Sequence, residues 1–240
     1  MFFFWKKTIE ASGLMQGLTD WHCHLLPGVD DGVQSLSETL DILTAYEQAG
    51  IAKVWLTPHI MDDIANETAD LRARFAQLCQ AYRGPLRLHL AAENMIDRLF
   101  DQRLAAGDLL PIGTTERMLL VETSYFNPPM NLHQRLQQVK DHGYVPLLAH
   151  PERYMYMDEN GYRRLKEMGI AFQLNLTSLA GFYGPIAQKK AEQLLAKGSY
   201  NLVGTDLHQS AAFDRLLQAR LSRSILDRLR ELCIQSARLS

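Results

Sequence analysis

The chain is 240 residues long, 47% hydrophobic and 22% charged, which allows one sizeable core and excludes a disordered or fibrous protein. Its formal net charge of -2 gives no electrostatic footprint for nucleic acid or an anionic membrane. Three widely spaced cysteines, Cys23, Cys79 and Cys233, form no CxxC; they exclude a disulfide framework and fit a reducing, cytoplasmic setting.

The opening Met1-Phe2-Phe3-Phe4-Trp5-Lys6-Lys7 is apolar, but the run is too short for a signal peptide or a membrane span, and its lysines follow it. Residues 1–17 are expected to form an N-terminal extension, disordered or packed down. Beyond it, short apolar runs alternate with longer amphipathic ones. The first strand is expected at 18–22, followed by a helix over 36–48 that opens with the capping box Ser35-x-x-Glu38 and stops at Gly50. Strand 53–57 leads to a helix over 66–82, which ends before Gly84-Pro85. Strand 86–91 precedes a helix at 96–106 closed by Gly107, and strand 118–121 a helix at 132–142 closed by Gly143. Strands 145–149 and 171–176 are followed by helices at 159–168 and 186–197, which stop at Gly169 and Gly198. The last strand, 201–204, precedes one long helical segment over 212–237. Strands that each lead into a helix predict a parallel sheet, because parallel neighbours need a crossover. No linker or repeat divides residues 18–240, so one domain is expected.

Periodicity does not distinguish an open sheet from a closed one. The polar residues do. The first strand ends in His22-Cys23-His24, with Asp30-Asp31 beyond, and the second runs into Thr57-Pro58-His59. Glu93, Glu122 and His150 follow the third, fourth and fifth strands, Asn175 lies on the sixth, and the seventh leads into Asp206-Leu207-His208. Parallel barrels gather their active sites at the C-terminal strand ends, whereas an open sheet draws on a few loops. Contributions from nearly every strand favour closure. Residues i and i+2 share a side of a strand, so His22 and His24 face the axis together, as do Asp206 and His208. Cys23 then turns away as a small hydrophobe. Imidazole and carboxylate without thiolate suit manganese, iron or zinc, and the candidates outnumber the ligands of a single ion, so two or three ions are expected. Two ions form a clamp for in-line displacement at phosphorus. His89, His133 and His142 fall outside the pattern and read as structural.

The run Asp20-Trp21-His22-Cys23-His24-Leu25-Leu26-Pro27-Gly28-Val29-Asp30-Asp31-Gly32 resembles the opening motif of the PHP (polymerase and histidinol phosphatase) superfamily. More narrowly, it is similar to the bacterial manganese-dependent tyrosine-protein phosphatases of capsule and exopolysaccharide operons. Further matches, in family order, are Thr57-Pro58-His59, Ala91-Ala92-Glu93, Leu120-Val121-Glu122, Ala149-His150-Pro151-Glu152-Arg153-Tyr154 and Gly204-Thr205-Asp206-Leu207-His208. The resemblance implies a single-domain, distorted (β/α)7 TIM-like barrel over residues 18–240. It implies a trinuclear site ligated by His22, His24, Asp31, His59, Glu93, Glu122, His150, Asp206 and His208, with Arg153 binding phosphate. It also implies a phosphotyrosine protein substrate, the tail of a bacterial tyrosine autokinase. An arginine expected shortly after the last metal-binding His is missing; Gln209-Ser210-Ala211-Ala212-Phe213 stands there, and Arg215 is the substitute candidate. Tyr125, Phe126 and Tyr183 lie in loops on the expected active face, where they either flank a phosphotyrosine ring or pack on the rim.

The expected chemistry is direct attack on phosphorus by a hydroxide bridging two ions, the metal lowering the pKa of water towards ~7. Arg153, Asp206 and His208 form the expected catalytic set, and a phenolic leaving group, with a pKa of about 10, needs little protonation. A cysteine mechanism requires Cys-x5-Arg, but the sixth residues after the cysteines are Val29, Pro85 and Leu239. Neither a DxDx(T/V) motif nor a GxxxxGK[ST] loop occurs. Two other readings stay open on sequence: hydrolysis of a small monoester such as histidinol phosphate, and a non-catalytic metal-binding partner of a membrane kinase. An amidohydrolase-like barrel also begins with HxH but carries a lysine after strand four, where Glu122 stands.

Overall fold

Strand and helix alternate along most of the chain, and the strands between β2 and β10 pair in parallel. The computed structural model describes residues 6–113 and 117–239. The apolar residues 1–5 of the opening lie outside the described residues. β1 (Lys6–Thr8) and α1 (Ile9–Ser12) precede the expected first strand. β2 (Thr19–Cys23) leads through α2 (Leu36–Ala49) to β3 (Lys53–Leu56) and the short β4 (His59–Ile60). After α3 (Thr68–Ala81) come β5 (Arg87–Leu90), β6 (Glu93–Met95) and α4 (Arg98–Ala106). β7 (Met118–Glu122), α5 (Leu132–Asp141), β8 (Val145–Ala149), α6 (Glu159–Glu167) and β9 (Ala171–Asn175) follow. α7 (Leu176–Leu179) starts directly from β9 and is succeeded by α8 (Gly184–Ala196), β10 (Leu202–Gly204), α9 (Ser210–Gln218), β11 (Arg220–Ser222) and α10 (Arg223–Ser236). Ser35, Asp97 and Asp158 open α2, α4 and α6 by accepting the backbone N–H three residues on, which satisfies donors a helix start leaves unpaired. Among the described residues, no helix is long and apolar enough to cross a membrane.

The parallel strands pair in the order β10-β9-β8-β7-β6-β4 and β2-β3-β5. These two segments meet at both ends. β3 runs towards β4 and β5 towards β6, where Ala91 N–H donates to Leu56 O at 2.9 Å and Glu93 N–H to Pro58 O at 3.1 Å. On the other side Cys23 pairs in parallel with Leu207, His24 N–H donates to Leu207 O at 2.9 Å and Asp206 N–H to His22 O at 2.8 Å. The sheet is therefore curled until its first and last parallel strands touch, and the loops at its C-terminal edge face one another.

Inside the curl, Trp21 stacks on Trp55 at 5.9 Å among Leu120, Leu147 and Leu202. A larger cluster, including Leu43, Tyr46, Leu136, Leu194 and Leu229, fills the space between sheet and helices. Each fully buried leucine there contributes about 1.5–3 kcal/mol of transfer free energy. Trp21 belongs to the inner cluster and Cys23 to the outer one, so simple alternation fails within β2. The pairing of β2 with β3 shifts register between Asp20 and Cys23, and that irregularity lets Trp21 plug the interior while His22 still joins His24.

Three expectations about elements need correction. The expected strands 53–57 and 86–91 are present as β3 and β5, but each is followed by a short further strand, β4 beyond Pro58, which has no N–H to give a ladder, and β6. Strand six ends at Asn175, because Leu176 already opens α7. The single helix expected over 212–237 is two helices with β11 between them. Ala219 is extended, Ser222 caps α10 by accepting Ile225 N–H, and β11 pairs antiparallel with β1. Residues 6–12 thus close onto the C-terminal end, with Ile9 fully buried.

Candidate metal centre

The nine expected ligands all lie at the C-terminal ends of the parallel strands or just beyond them, and their side chains meet. Three overlapping groups have every ligand atom within 4.8 Å of the others: His24, Asp31, His59 and His208; His22, His24, Glu93 and Asp206; and His59, Glu93 and Glu122. His150 joins through Nε2, 2.9 Å from Glu93 and 3.8 Å from Glu122. Glu93, His24 and His59 each belong to two of the groups.

The backbone is bent to achieve this. His150 and Asp206 adopt left-handed conformations, with φ of 33° and 54°, a strain that non-glycine residues carry chiefly at functional sites. Gly204 is required for close approach: a Cβ there would lie 2.5 Å from His22 Cβ. Buried Asp20 ties β2 to the end of β10, accepting Tyr46 OH at 2.8 Å, Thr205 N–H at 2.8 Å and Thr205 Oγ1 at 2.7 Å. Burial raises its pKa in spite of those donors.

Three imidazoles are held from behind so that Nε2 faces the cluster. Nδ1–H of His22 donates to Gln173 Oε1 at 2.9 Å, that of His24 to Asp30 Oδ2 at 2.9 Å, and that of His208 to Asp206 O at 3.0 Å. Metal-ligating histidines show this arrangement, which fixes tautomer and ring direction. Gln173 also donates to Asn175 Oδ1 at 2.8 Å, and Asn175 to Asp206 Oδ2 at 2.6 Å. The donor set fits divalent cations on a second ground. Buried Glu93 Oε2 lies 3.2–3.3 Å from nitrogens of His22, His24 and His59, yet makes no hydrogen bond of acceptable geometry. Lone pairs that converge on a point and not on one another are suited to an ion.

Burial opposes a charge on His22, but Glu93 and Asp206 outweigh it and raise the imidazole to about 9. Burial also opposes ionisation of Glu93 and Asp206, and neighbouring imidazoles, His22 foremost, nevertheless hold both well below the ordinary carboxylate range. Asp31, beside His208, is held at about 2. Such paired protons are what a cation displaces when it binds.

Arg153 sits in the turn Pro151–Arg153 that follows His150, and donates from Nη1 to Asp206 Oδ2 at 2.8 Å. Its guanidinium lies between the rings of Tyr125 and Tyr183, 4.2 and 3.9 Å from their centroids. A cavity of about 420 Å³ opens between these residues, His208 and Arg215. Phe126, 73% exposed, is not among the residues that line it. A larger cavity of about 530 Å³ lies between α6 and α8, away from the ligand cluster. Its lysines have structural partners: Lys190 donates to Tyr154 O and Met157 O, and Lys197 pairs with Glu159. His89 stacks on Trp55, and His133 and His142 are exposed on or beside α5. Sequence reasoning overlooked Asp30 and Gln173 as supports. Asp30 lay in the recognised motif, and Gln173 stands two residues from Asn175 on the same face of β9.

Residues 18–223 match the family described as capsular polysaccharide synthesis, CpsB/CapC. This chain belongs to the CpsB/CapC family. It is 30% identical over 198 residues to the tyrosine-protein phosphatase YwqE of Bacillus subtilis, covering 80% of this chain and 77% of that protein. Over 198 residues it is 24% identical to the putative tyrosine-protein phosphatase CapC of Staphylococcus aureus, with the same coverage of 80% and 77%. A solved structure, from work on YwqE of B. subtilis and CpsB of Streptococcus pneumoniae described as metal-dependent tyrosine phosphatases, superposes with a TM-score of 0.81. That match has 27% identity and covers 92% of this chain and 93% of the other. The CpsB/CapC match thus encloses the whole candidate centre, from His22 to His208.

Proposed function

We propose that this CpsB/CapC member is a metal-dependent protein-tyrosine phosphatase, acting in the cytoplasm on the phosphorylated tail of a polysaccharide-synthesis tyrosine autokinase. One observation carries the reading: imidazoles and carboxylates from almost every strand end meet beside Arg153 at the edge of one cavity. The named activities of YwqE and CpsB support it.

His22, His24, Asp31, His59, Glu93, Glu122, His150, Asp206 and His208 would hold two or three manganese ions, for which iron or zinc could substitute. When bound, the ions supply Lewis acidity and an ionised water as nucleophile. Arg153, oriented by Asp206, takes phosphoryl oxygens through charge-assisted hydrogen bonds. The phenolic oxygen, with a pKa of about 10, needs little protonation. His208, partly exposed at the rim with its Nδ1–H held by Asp206 O, would supply that proton only where its Nε2 is not a ligand. Tyr125, Phe126 and Arg215 contact the substrate around the cavity mouth. The same reading treats β3 with β4, and β5 with β6, as two interrupted strands, giving a distorted (β/α)7 barrel over residues 18–240. Residues 1–17 are its extension, a division that the pairing of β1 with β11 is compatible with.

The test is metal analysis combined with hydrolysis of an aryl phosphate and of a phosphotyrosine peptide, before and after chelation. Both activities are expected to vanish with the metal and return with manganese. Turnover that survives complete metal removal overturns the mechanism, and fast hydrolysis of histidinol phosphate with little of phosphotyrosine overturns the substrate.

A further inference from the structure

Two consecutive aromatic side chains each carry one guanidinium. Arg215 lies 4.1 Å over the ring of Phe182, and Arg153 3.9 Å over that of Tyr183. Both rings come from the turn joining α7 to α8, which is bounded by Gly181 and Gly184 at φ of 82° and 84°, a backbone that favours glycine. The turn is anchored to α7: Gly181 N–H donates to Ser178 O and Phe182 N–H to Thr177 O, each at 3.0 Å. Tyr183 OH also donates to Asp206 Oδ2 at 3.1 Å, the oxygen that already accepts from Arg153 and Asn175. That oxygen is fully engaged, which leaves Oδ1 facing His22 and His24 at 3.5 and 3.3 Å. Arg215 differs from Arg153 in having no ion pair among the described residues, so its charge is free for the cavity that both line. A planar guanidinium on an aromatic face is held in orientation without losing its donors.

We propose that the turn 181–184 is a rack for two arginines, Tyr183 positioning Arg153 and Phe182 positioning Arg215. Arg153 and Arg215 already belong to the phosphatase reading; the turn adds what holds both guanidiniums towards the cavity they line. This rests on the phosphatase reading and adds to it how the phosphate is gripped. Phe182 and Tyr183 are positioning residues, because each acts through the arginine it carries.

The experiment measures the Kd of inorganic phosphate for the full, manganese-loaded chain by calorimetry, alongside kcat and KM for an aryl phosphate. Phe182→Leu and Arg215→Ala are each expected to raise the phosphate Kd by about three- to tenfold, the range of a partly desolvated cation–π contact. The double variant should be no worse than Arg215→Ala alone, since ring and guanidinium act as one unit. Phe182→Trp restores the platform and should return Kd to within about twofold of the parent, which separates loss of stacking from misfolding. Tyr183→Phe should retain phosphate affinity that Tyr183→Leu loses, with metal content unchanged in both. Effects of Phe182→Leu and Arg215→Ala that multiply in the double variant, or an Arg215→Ala chain that binds phosphate normally, overturn the rack while the phosphatase assignment stands. A parent chain that holds manganese but neither binds phosphate nor hydrolyses the ester removes both.

Discussion

Adjacent aspartates divide the work just beyond β2. Asp31 turns Oδ1 towards His59 and His208, at 3.5 and 3.6 Å, whereas Asp30 accepts Nδ1–H of His24 at 2.9 Å and the backbone N–H of His59 at 3.0 Å. Removing such a support lowers metal affinity by roughly 10–100-fold in comparable sites. Asp30→Ala is therefore expected to bind manganese that much more weakly while remaining folded, as read by metal titration with circular dichroism as control. Unchanged affinity would make Asp30 a turn residue only. His22 and His24 converge as their i, i+2 spacing implied, although His24 lies one residue beyond β2. Asp206 and His208 converge by another route, since β10 ends at Gly204 and Asp206 turns the chain with a left-handed φ of 54°. The choice between Asp30 and Asp31 had no spacing to decide it, since both fit one turn, and the task of Gln173 appears only through a contact 151 residues away. His89 gives a second prediction at this scale. Burial, with Lys53 and Arg87 nearby, lowers its pKa below the ordinary 6.5. As pH falls through 6.5 the unfolded chain takes up a proton there that the folded chain refuses, so this residue costs stability on the acid side. His89→Gln should lose less stability than the parent between neutral pH and about pH 5, compared by denaturant melts at each pH. Parallel losses in the two chains would show that His89 does not titrate differently on folding.

Elements were legible wherever a local signal marked their ends. The box at Ser35 and Glu38 opened α2 where expected, and the strand runs identified β7 and β8 almost to the residue. The break at β11 was hidden because residues 212–237 contain neither glycine nor proline, and buried residues such as Phe213, Leu216, Leu226 and Leu229 continue on both sides of it. What divides them is tertiary: β1 arrives from the other end of the chain and pairs with residues 220–222. Ser222 then restarts the helix by accepting Ile225 N–H at 3.4 Å. Loss of an N-cap hydroxyl costs about 1 kcal/mol. Ser222→Ala should lower stability by that amount in urea unfolding and leave metal content untouched, whereas Ser222→Asp, which keeps a capping oxygen, should be near neutral. If both substitutions cost the same, the cap is not what starts α10. The interruptions at Pro58 and Ala91-Ala92 leave the register unchanged, with Leu56 beside Leu90 before them and His59 beside Glu93 after them, so the two candidate ligands still stand side by side.

At the scale of the whole molecule, the centre is also a fastener. Its candidate ligands come from β2, β4, β6, β7 and the segments after β2, β8 and β10, so ions bound there would join strand ends across the entire curl. That convergence could be anticipated from polar residues recurring after each strand, but closure itself depended on the meeting of Cys23 with Leu207, which no local pattern encodes. A ligand that binds only the folded chain stabilises it by RT ln(1 + [L]/Kd), about 2.7 kcal/mol at one hundred times Kd. For a chain of this length each kcal/mol moves the melting temperature by roughly 2–4 °C, so saturation with manganese should raise it on the order of 5–10 °C over the chelated protein. The distribution of that gain follows from the geometry. Glu93 belongs to two of the ligand groups and lies fully buried, whereas His208 belongs to one and is partly exposed. Glu93→Gln should therefore abolish most of the manganese-dependent shift, and His208→Ala should keep a substantial part of it. Scanning calorimetry of the parent and both variants, with manganese and with chelator, reads the order directly. If His208→Ala loses as much of the shift as Glu93→Gln, the ions are not held by a shared, graded set of ligands, and the strand ends are fastened by something other than the centre.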